Sequence, residues 1–243
     1  MSNSTPNRTE LIHDLVCANR ILAAEGVVDG YGHVSVRSGA QSFLLAKSLA
    51  PESVTAADIL EYGLDGEPLA PTTERHYTER FIHSEVYRLR PEVQAVVHNH
   101  SPAVIPFGTI DRPMRPLYHM SGFIGEGVPV WEIRDVQKGT DLLVNSSYLG
   151  ASLARTLGGR SAALMRGHGC VVAAAGLPSV VGRSIYLELN ARLQATAMGL
   201  SDRVTYLDED ECRAAAKVQD YLRAWALWKK KAEAALRAEG AIR

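Results

Sequence analysis

Three cysteines in 243 residues, Cys17, Cys170 and Cys212, stand far apart and form no C-x-x-C pair. That scarcity excludes a disulfide framework and a zinc-finger motif. Charge of a single sign is lacking too: 26 basic and 27 acidic residues leave a formal net charge of −1, so no global field draws the chain toward nucleic acid or an anionic membrane. No apolar run approaches the length of a membrane span, and the start, Met-Ser-Asn-Ser-Thr-Pro-Asn-Arg, has no apolar signal core. A soluble, cytoplasmic protein is the expectation. Repeats, low-complexity tracts and linker-like segments are also missing, and 46 % hydrophobic content suffices for one well-cored unit. The chain reads as a single domain, residues 1–243, with residues 1–8 a flexible N-terminus.

What is present is histidine in telling places. In Gln94-Ala95-Val96-Val97-His98-Asn99-His100 the apolar residues read as a buried strand reaching its end. Residues i and i+2 of a strand share a face, so His98 and His100 are expected to converge there. His168 lies in a tight turn, Arg166-Gly167-His168-Gly169, between two further apolar runs. Three neutral imidazoles suit a borderline divalent cation and leave a position open for substrate or water. Upstream, Phe81, Ile82, Val86 and Leu89 recur at helical spacing until Pro91 stops the helix. Glu79, near the start of that helix, can then reach a metal held by the next strand. His83 shares the helical face of Glu79 and is expected to orient its carboxylate or pack beneath it. Cys170 opens an apolar run and reads as a buried structural thiol; His13 and His76 have no constellation around them.

The coarse pattern is an α/β layer fold. A helix over Thr9 to Gly26 precedes paired strands at His33 to Arg37 and Phe43 to Ala46, and Asp65-Gly66 signals a turn. After the histidine strand comes a proline-rich irregular stretch, Ser101 to Gly139, holding one strand pattern at Met114 to Leu117; a segment that long is usually either functional or poorly ordered. Strands are expected at Leu142 to Val144, Ala162 to Met165 and Cys170 to Ala174, with helices over Ser147 to Leu157, Ser179 to Met198 and, as one long element, Glu209 to Glu239.

The stretch Tyr77 to Ser101, with E-x3-H-x3-Y-x2-R-P followed by A-V-V-H-N-H-S, resembles the class II aldolase/adducin family. Arg166-Gly167-His168-Gly169 looks like its third-histidine turn, and Gly30 to Arg37 like its N-terminal glycine-rich loop and strand. The resemblance implies one α/β domain with a central, mostly antiparallel sheet flanked by helices on both faces. It implies His98, His100 and His168 as ligands of one divalent ion (zinc, manganese, iron or cobalt) and Glu79 as an acid/base that can also ligate the metal. It further implies a cyclic homotetramer with sites at subunit boundaries, where Tyr221, Trp225 and Trp228 of the C-terminal helix suit a contact with a neighbour and Tyr221 can contribute to its site.

Departures from the family's sugar-phosphate aldolases narrow the expectation. Those enzymes resemble one another in a loop asparagine, a Thr-Gly pair and a Ser-Ser pair that hold phosphate. The corresponding places here look like His33, Lys47-Ser48 and Tyr77-Thr78. A phosphate cradle needs small residues and free amides; Tyr77 fits poorly, whereas Lys47 suits a carboxylate. Lys47 to Glu52, Tyr118 to Phe123 and Gly127 to Trp131 also resemble the family's decarboxylase branch. The expected activity is therefore metal-dependent, non-oxidative decarboxylation of an ortho-hydroxylated aromatic or pyridine dicarboxylate. Loss of carbon dioxide leaves a phenolate-type anion that the cation's charge stabilises. Glu79 is the expected acid/base and His119 the second candidate, with His33, Lys47, Ser48 and Tyr77 binding substrate. A sugar-phosphate aldolase or epimerase is the alternative. A non-catalytic adducin-like module is disfavoured because the full ligand set is present. The expected partner is a small-molecule carboxylate, with no nucleic acid and no membrane.

Overall fold

A computed structural model describes residues 7–242. Part of the expected N-terminal tail, residues 1–6, lies outside the described residues. Asn7 instead caps the first helix, α1 (Arg8–Ala24): its side chain accepts from the Glu10 amide while the Glu10 carboxylate accepts from the Asn7 amide. Gly26, with φ +71, then turns the chain away from the helix end.

Among the described residues seven strands form one sheet. In chain order they are β1 (His33–Gly39), β2 (Ser42–Ala46), β3 (Ile59–Gly63), β4 (Ala95–Asn99), β5 (Val130–Trp131), β6 (Ala162–Met165) and β7 (Gly169–Ala174). Their order across the sheet is β3-β2-β1-β4-β7-β6-β5, and every neighbouring pair is antiparallel except β5 with β6. This is the expected α/β arrangement, a central and mostly antiparallel sheet. β4 is central and buried along its whole length, which explains why it reads as a continuous apolar run rather than an alternation.

Strand alternation assigns side chains to two cores. Val34, Val36, Leu44, Ala95, Val97, Cys170 and Val172 face α1, α4 (Leu177–Leu200) and α6 (Leu222–Ala238). Phe43, Leu45, Val96, Ala163 and Val171 face α2 (Arg80–Leu89) and α3 (Ser147–Leu157). His98, two residues after Val96, therefore leaves on the α2 side.

Three expected elements are corrected. Leu142 to Val144 is not a strand: Leu142 has φ +71, and its carbonyl and the Val144 amide bond to side chains instead of a ladder. Met114 to Leu117 is not a strand either. Pro113 and Pro116 lack amide donors, and Asn190 and Gln194 on α4 supply the partners a strand would have: Gln194 accepts from the Arg115 amide, and Asn190 accepts from the Leu117 amide and donates to the Arg115 carbonyl. The expected long final helix is two, α5 (Glu209–Val218) and α6. They part at Tyr221, whose φ of 57 lets its ring drop against Gly182, where a β-carbon would come within 2.3 Å of it.

Candidate metal centre

His98 is the next-to-last residue of β4, His100 directly follows the strand, and the β6–β7 turn delivers His168 beside them. That approach depends on glycine. A β-carbon at Gly169 would lie 2.0 Å from the Asn99 carbonyl oxygen, and Gly167 has φ +67, so the hairpin can bring its tip against the end of β4 only with this sequence. The Nε2 atom of His100 lies 3.0 Å from that of His98 and 3.0 Å from that of His168. The expected convergence of the three imidazoles is what the fold produces.

The outer nitrogens decide what the inner ones can do. His98 Nδ1–H donates to the Cys170 carbonyl at 3.1 Å and His168 Nδ1–H to the Leu142 carbonyl at 2.9 Å. A neutral imidazole with its proton on Nδ1 presents a lone pair at Nε2. Two lone pairs thus face His100 Nε2, which carries one proton at most and can satisfy one of them. A divalent cation resolves this arrangement and the carbonyls hold the rings in place for it; the donor set fits a metal ion.

Glu79 completes the group. It occupies the cap position before α2, where its Oε1 accepts from the Val144 amide at 2.9 Å and its Oε2 lies 3.3 Å from His98 Nε2 and 3.5 Å from His168 Nε2. Glu79, His98, His100 and His168 all offer ligand atoms within 4.8 Å of one another. Burial favours the neutral carboxyl, but positive charge at the inner nitrogens, from protonated His98 and His168 or from a cation in the place of those protons, outweighs it and holds Glu79 well below the usual carboxylate range. Burial and the other two imidazoles lower His100 to about 4. For His168, burial is outweighed by Glu79, which raises it.

The remaining expected residues divide. His33 is 4 % exposed and packs 5.1 Å from the His98 ring, ring centre to ring centre, and 4.6 Å from Tyr77. Tyr77 donates its hydroxyl to the Leu49 carbonyl. Lys47 does not present a free charge: Asp58 and Glu74 take its Nζ at 3.1 and 3.2 Å, and their hydrogen bonds raise its pKa. Ser48 is exposed and its amide donates to the Arg75 carbonyl. His119 is exposed in a 3-10 turn against Tyr118, apart from the four-residue group. Tyr221, Trp225 and Trp228, expected to contact a neighbour, are buried within their own chain, with Tyr221 stacked near Tyr186. His83 turns away from Glu79 to bond His33 and Ser35. Cys170 is buried, donates to Asn99 at 3.3 Å and is pushed up to about 12 by burial, an inert thiol as expected. Sequence reasoning missed Ser35, Tyr87 and the Leu142–Val144 backbone. It also missed Tyr31, 71 % exposed and 6.4 Å from His100; an aromatic between Gly30 and Gly32 was its only signal.

Residues 13–195 match the class II aldolase and adducin N-terminal domain. The chain belongs to the class II aldolase/adducin family. A decarboxylase of Talaromyces stipitatus, tropJ, is 35 % identical over 91 % of the chain and 94 % of its own length. A 3,4-dihydroxyphthalate decarboxylase of Arthrobacter keyseri is 33 % identical over 76 % of the chain and 78 % of its own length. Among solved structures, an L-fuculose 1-phosphate aldolase from Glaciozyma antarctica superposes with a TM-score of 0.79 at 22 % identity, covering 98 % of this chain and 96 % of that one, a likeness of fold. No described helix of this family member is long and apolar enough to cross a membrane.

Proposed function

We propose that this class II aldolase/adducin protein is a metal-dependent decarboxylase of an aromatic or pyridine dicarboxylate bearing a hydroxyl beside the departing carboxylate. One observation carries the choice over a sugar-phosphate lyase: the region where the aldolases are expected to cradle phosphate has no free cradle. The Lys47 and Ser48 amides donate to the Asp58 and Arg75 carbonyls, each at 2.8 Å, and the Tyr77 and His33 rings fill the adjoining space. Phosphate recognition needs such amides unengaged. The decarboxylases among its relatives support the same reading.

A divalent cation held by His98, His100 and His168 would supply Lewis acidity to adjacent substrate oxygens. Glu79, held ionised, accepts the proton of the substrate hydroxyl and returns it to the ring carbon that bears the departing carboxylate. The bond from that carbon to the carboxylate then breaks, carbon dioxide leaves, and the electron pair returns through the ring to the oxygen. The product oxygen is reprotonated from solvent, so one proton is consumed per turnover. Glu79 is positioned for this by the Val144 amide, which fixes Oε1 and leaves Oε2 toward the imidazoles. A small-molecule carboxylate substrate and a homotetrameric assembly belong to the same proposal.

The test is carbon dioxide release from 3,4-dihydroxyphthalate and from hydroxypyridine dicarboxylates, run beside dihydroxyacetone phosphate formation from fuculose, rhamnulose and ribulose phosphates. In deuterium oxide the aromatic product should carry deuterium at the vacated carbon. Cleavage of a sugar phosphate without turnover of the aromatic acids would replace this reading with the aldolase one.

A further inference from the structure

Behind the metal centre, four buried groups run in series from α2 into β1. Tyr87 Oη lies 2.8 Å from Ser35 Oγ, Ser35 Oγ 2.6 Å from His83 Nδ1, and His83 Nε2 2.6 Å from His33 Nδ1. Tyr87 is 1 % exposed, Ser35 and His83 are 0 % exposed, and His33 is 4 % exposed. Each link needs one proton between its two heavy atoms, so the direction of one link determines the next.

The buried end sets that direction. A buried hydroxyl needs an acceptor for its proton; the Val96 amide beside Tyr87 Oη can only donate to it, whereas Ser35 Oγ, 2.8 Å away, can accept. Tyr87 therefore donates to Ser35. The single Ser35 proton goes on to His83 Nδ1, the His83 proton sits on Nε2 and points at His33 Nδ1, and the His33 proton is left on Nε2. Each imidazole accepts at Nδ1 and so carries a single proton and no charge. His33 Nε2 has no hydrogen-bond partner among the described residues, and its ring stands beside that of His98.

We infer that the Tyr87–Ser35–His83 chain locks His33 as the Nε2–H tautomer, making it a fixed hydrogen-bond donor to an anionic oxygen of the bound substrate. Ser35, His83 and Tyr87 are positioning residues; only His33 touches substrate. The arrangement deepens the decarboxylase reading, on which its substrate half rests: the carboxylate anchor expected of Lys47 passes to a neutral donor that is held in one orientation. A neutral donor binds an oxyanion without placing a second net positive charge beside the metal.

Nitrogen-15 NMR of histidine-labelled, zinc-loaded enzyme reads the tautomer directly, with His33→Asn assigning the signal. The expected spectrum has His33 Nε2 protonated and Nδ1 unprotonated. Ser35→Ala breaks the chain while leaving the fold and metal content intact, so the His33 signal should lose its single tautomer and KM for 3,4-dihydroxyphthalate should rise about tenfold or more, with a smaller effect on kcat. Ser35→Thr restores the hydroxyl and should restore both. An unprotonated Nε2 on His33 in the wild type, or a tautomer unmoved in Ser35→Ala, would overturn the chain. The expected tautomer together with unchanged dihydroxyphthalate affinity in folded, metal-loaded His33→Phe, which has no donor, would overturn the substrate contact. Because the NMR reading requires no turnover, it stands apart from any failure of the decarboxylase assignment.

Discussion

Two groups of potential ligands lie among the described residues, and they behave oppositely. Glu79, His98, His100 and His168 gather at the end of β4, while His13, Cys17 and Glu233 gather between α1 and α6. At the first, Nδ1 of His98 and of His168 is fastened to a backbone carbonyl, so the inner nitrogens face one another with too few protons. At the second, the groups already satisfy one another. His13 bonds Glu233 at 2.9 Å, Lys229 bonds Asp14 at 2.5 Å, and burial pushes Cys17 up to about 12, so its thiol keeps its proton. Closeness of ligand-type residues does not make a metal site. What their outer atoms are tied to does.

The sharpest way to break this contrast is to remove one member from each group. His98→Ala should lose the bound divalent ion, measured by elemental analysis, and lower activity by about a thousandfold or more, because the remaining imidazoles no longer close the site. Cys17→Ser should leave metal content at the wild-type value. Full metal and full activity in His98→Ala would end the assignment, and metal lost from Cys17→Ser would erase the distinction between the two groups.

Glu79→Gln sharpens the comparison within the first group. The amide keeps the shape and can still accept from the Val144 amide, but it cannot carry a proton. Turnover should fall by about a hundredfold or more with metal nearly unchanged. If metal content falls in parallel with activity, Glu79 serves chiefly as a ligand.

How much of this was readable beforehand differs between the two regions for a physical reason. The first group announces itself because strand periodicity and a glycine turn are local signals: His98 and His100 share a face by spacing alone, and the Gly167–Gly169 turn sits between two apolar runs. The second joins residues about 220 apart along the chain, and no local pattern links His13 to Glu233. The same limit hid the Tyr87–Ser35–His83–His33 series, in which only the i, i+2 pair in β1 and the i, i+4 pair in α2 have local spacing, and nothing in one dimension shows that the two pairs interdigitate. Expected strands failed where side chains replace a ladder, as Asn190 and Gln194 do for Arg115 and Leu117. Lys47 was misread because Asp58 and Glu74 reach it from later in the chain.

The α6 side of the comparison also depends on a steric fit. A β-carbon at Gly182 would lie 2.3 Å from Tyr221 Cδ1 and 2.7 Å from Cγ, contacts with a buried ring that cannot simply swing aside. Gly182→Ala should destabilise the protein by about 1–3 kcal/mol, the usual scale of overpacking, visible as a lower Tm. Metal content should hold, because the three histidines proposed as ligands stand at the end of β4, just after it and in the β6–β7 turn. An unchanged Tm would mean that Tyr221 has another seat.

The smallest effect belongs to the α1–α6 group itself. His13 and Glu233 are both partly exposed, with side chains 32 % and 24 % accessible, so solvent screens the pair and His13→Ala should cost no more than about 0.2–1 kcal/mol. Its pH dependence has a definite sign. The hydrogen bond from His13 lowers the Glu233 pKa in the folded protein, so the Glu233 contribution is present above the unfolded carboxylate value of about 4.3 and is lost as pH falls through the lower, folded value. Denaturant unfolding of wild type and His13→Ala at neutral pH and again near pH 3 should therefore show the two curves drawing together in acid. A difference that widens in acid would mean that Glu233 is held by something other than His13. Loss of metal or activity in His13→Ala would mean that the α1–α6 group supports the histidine centre after all.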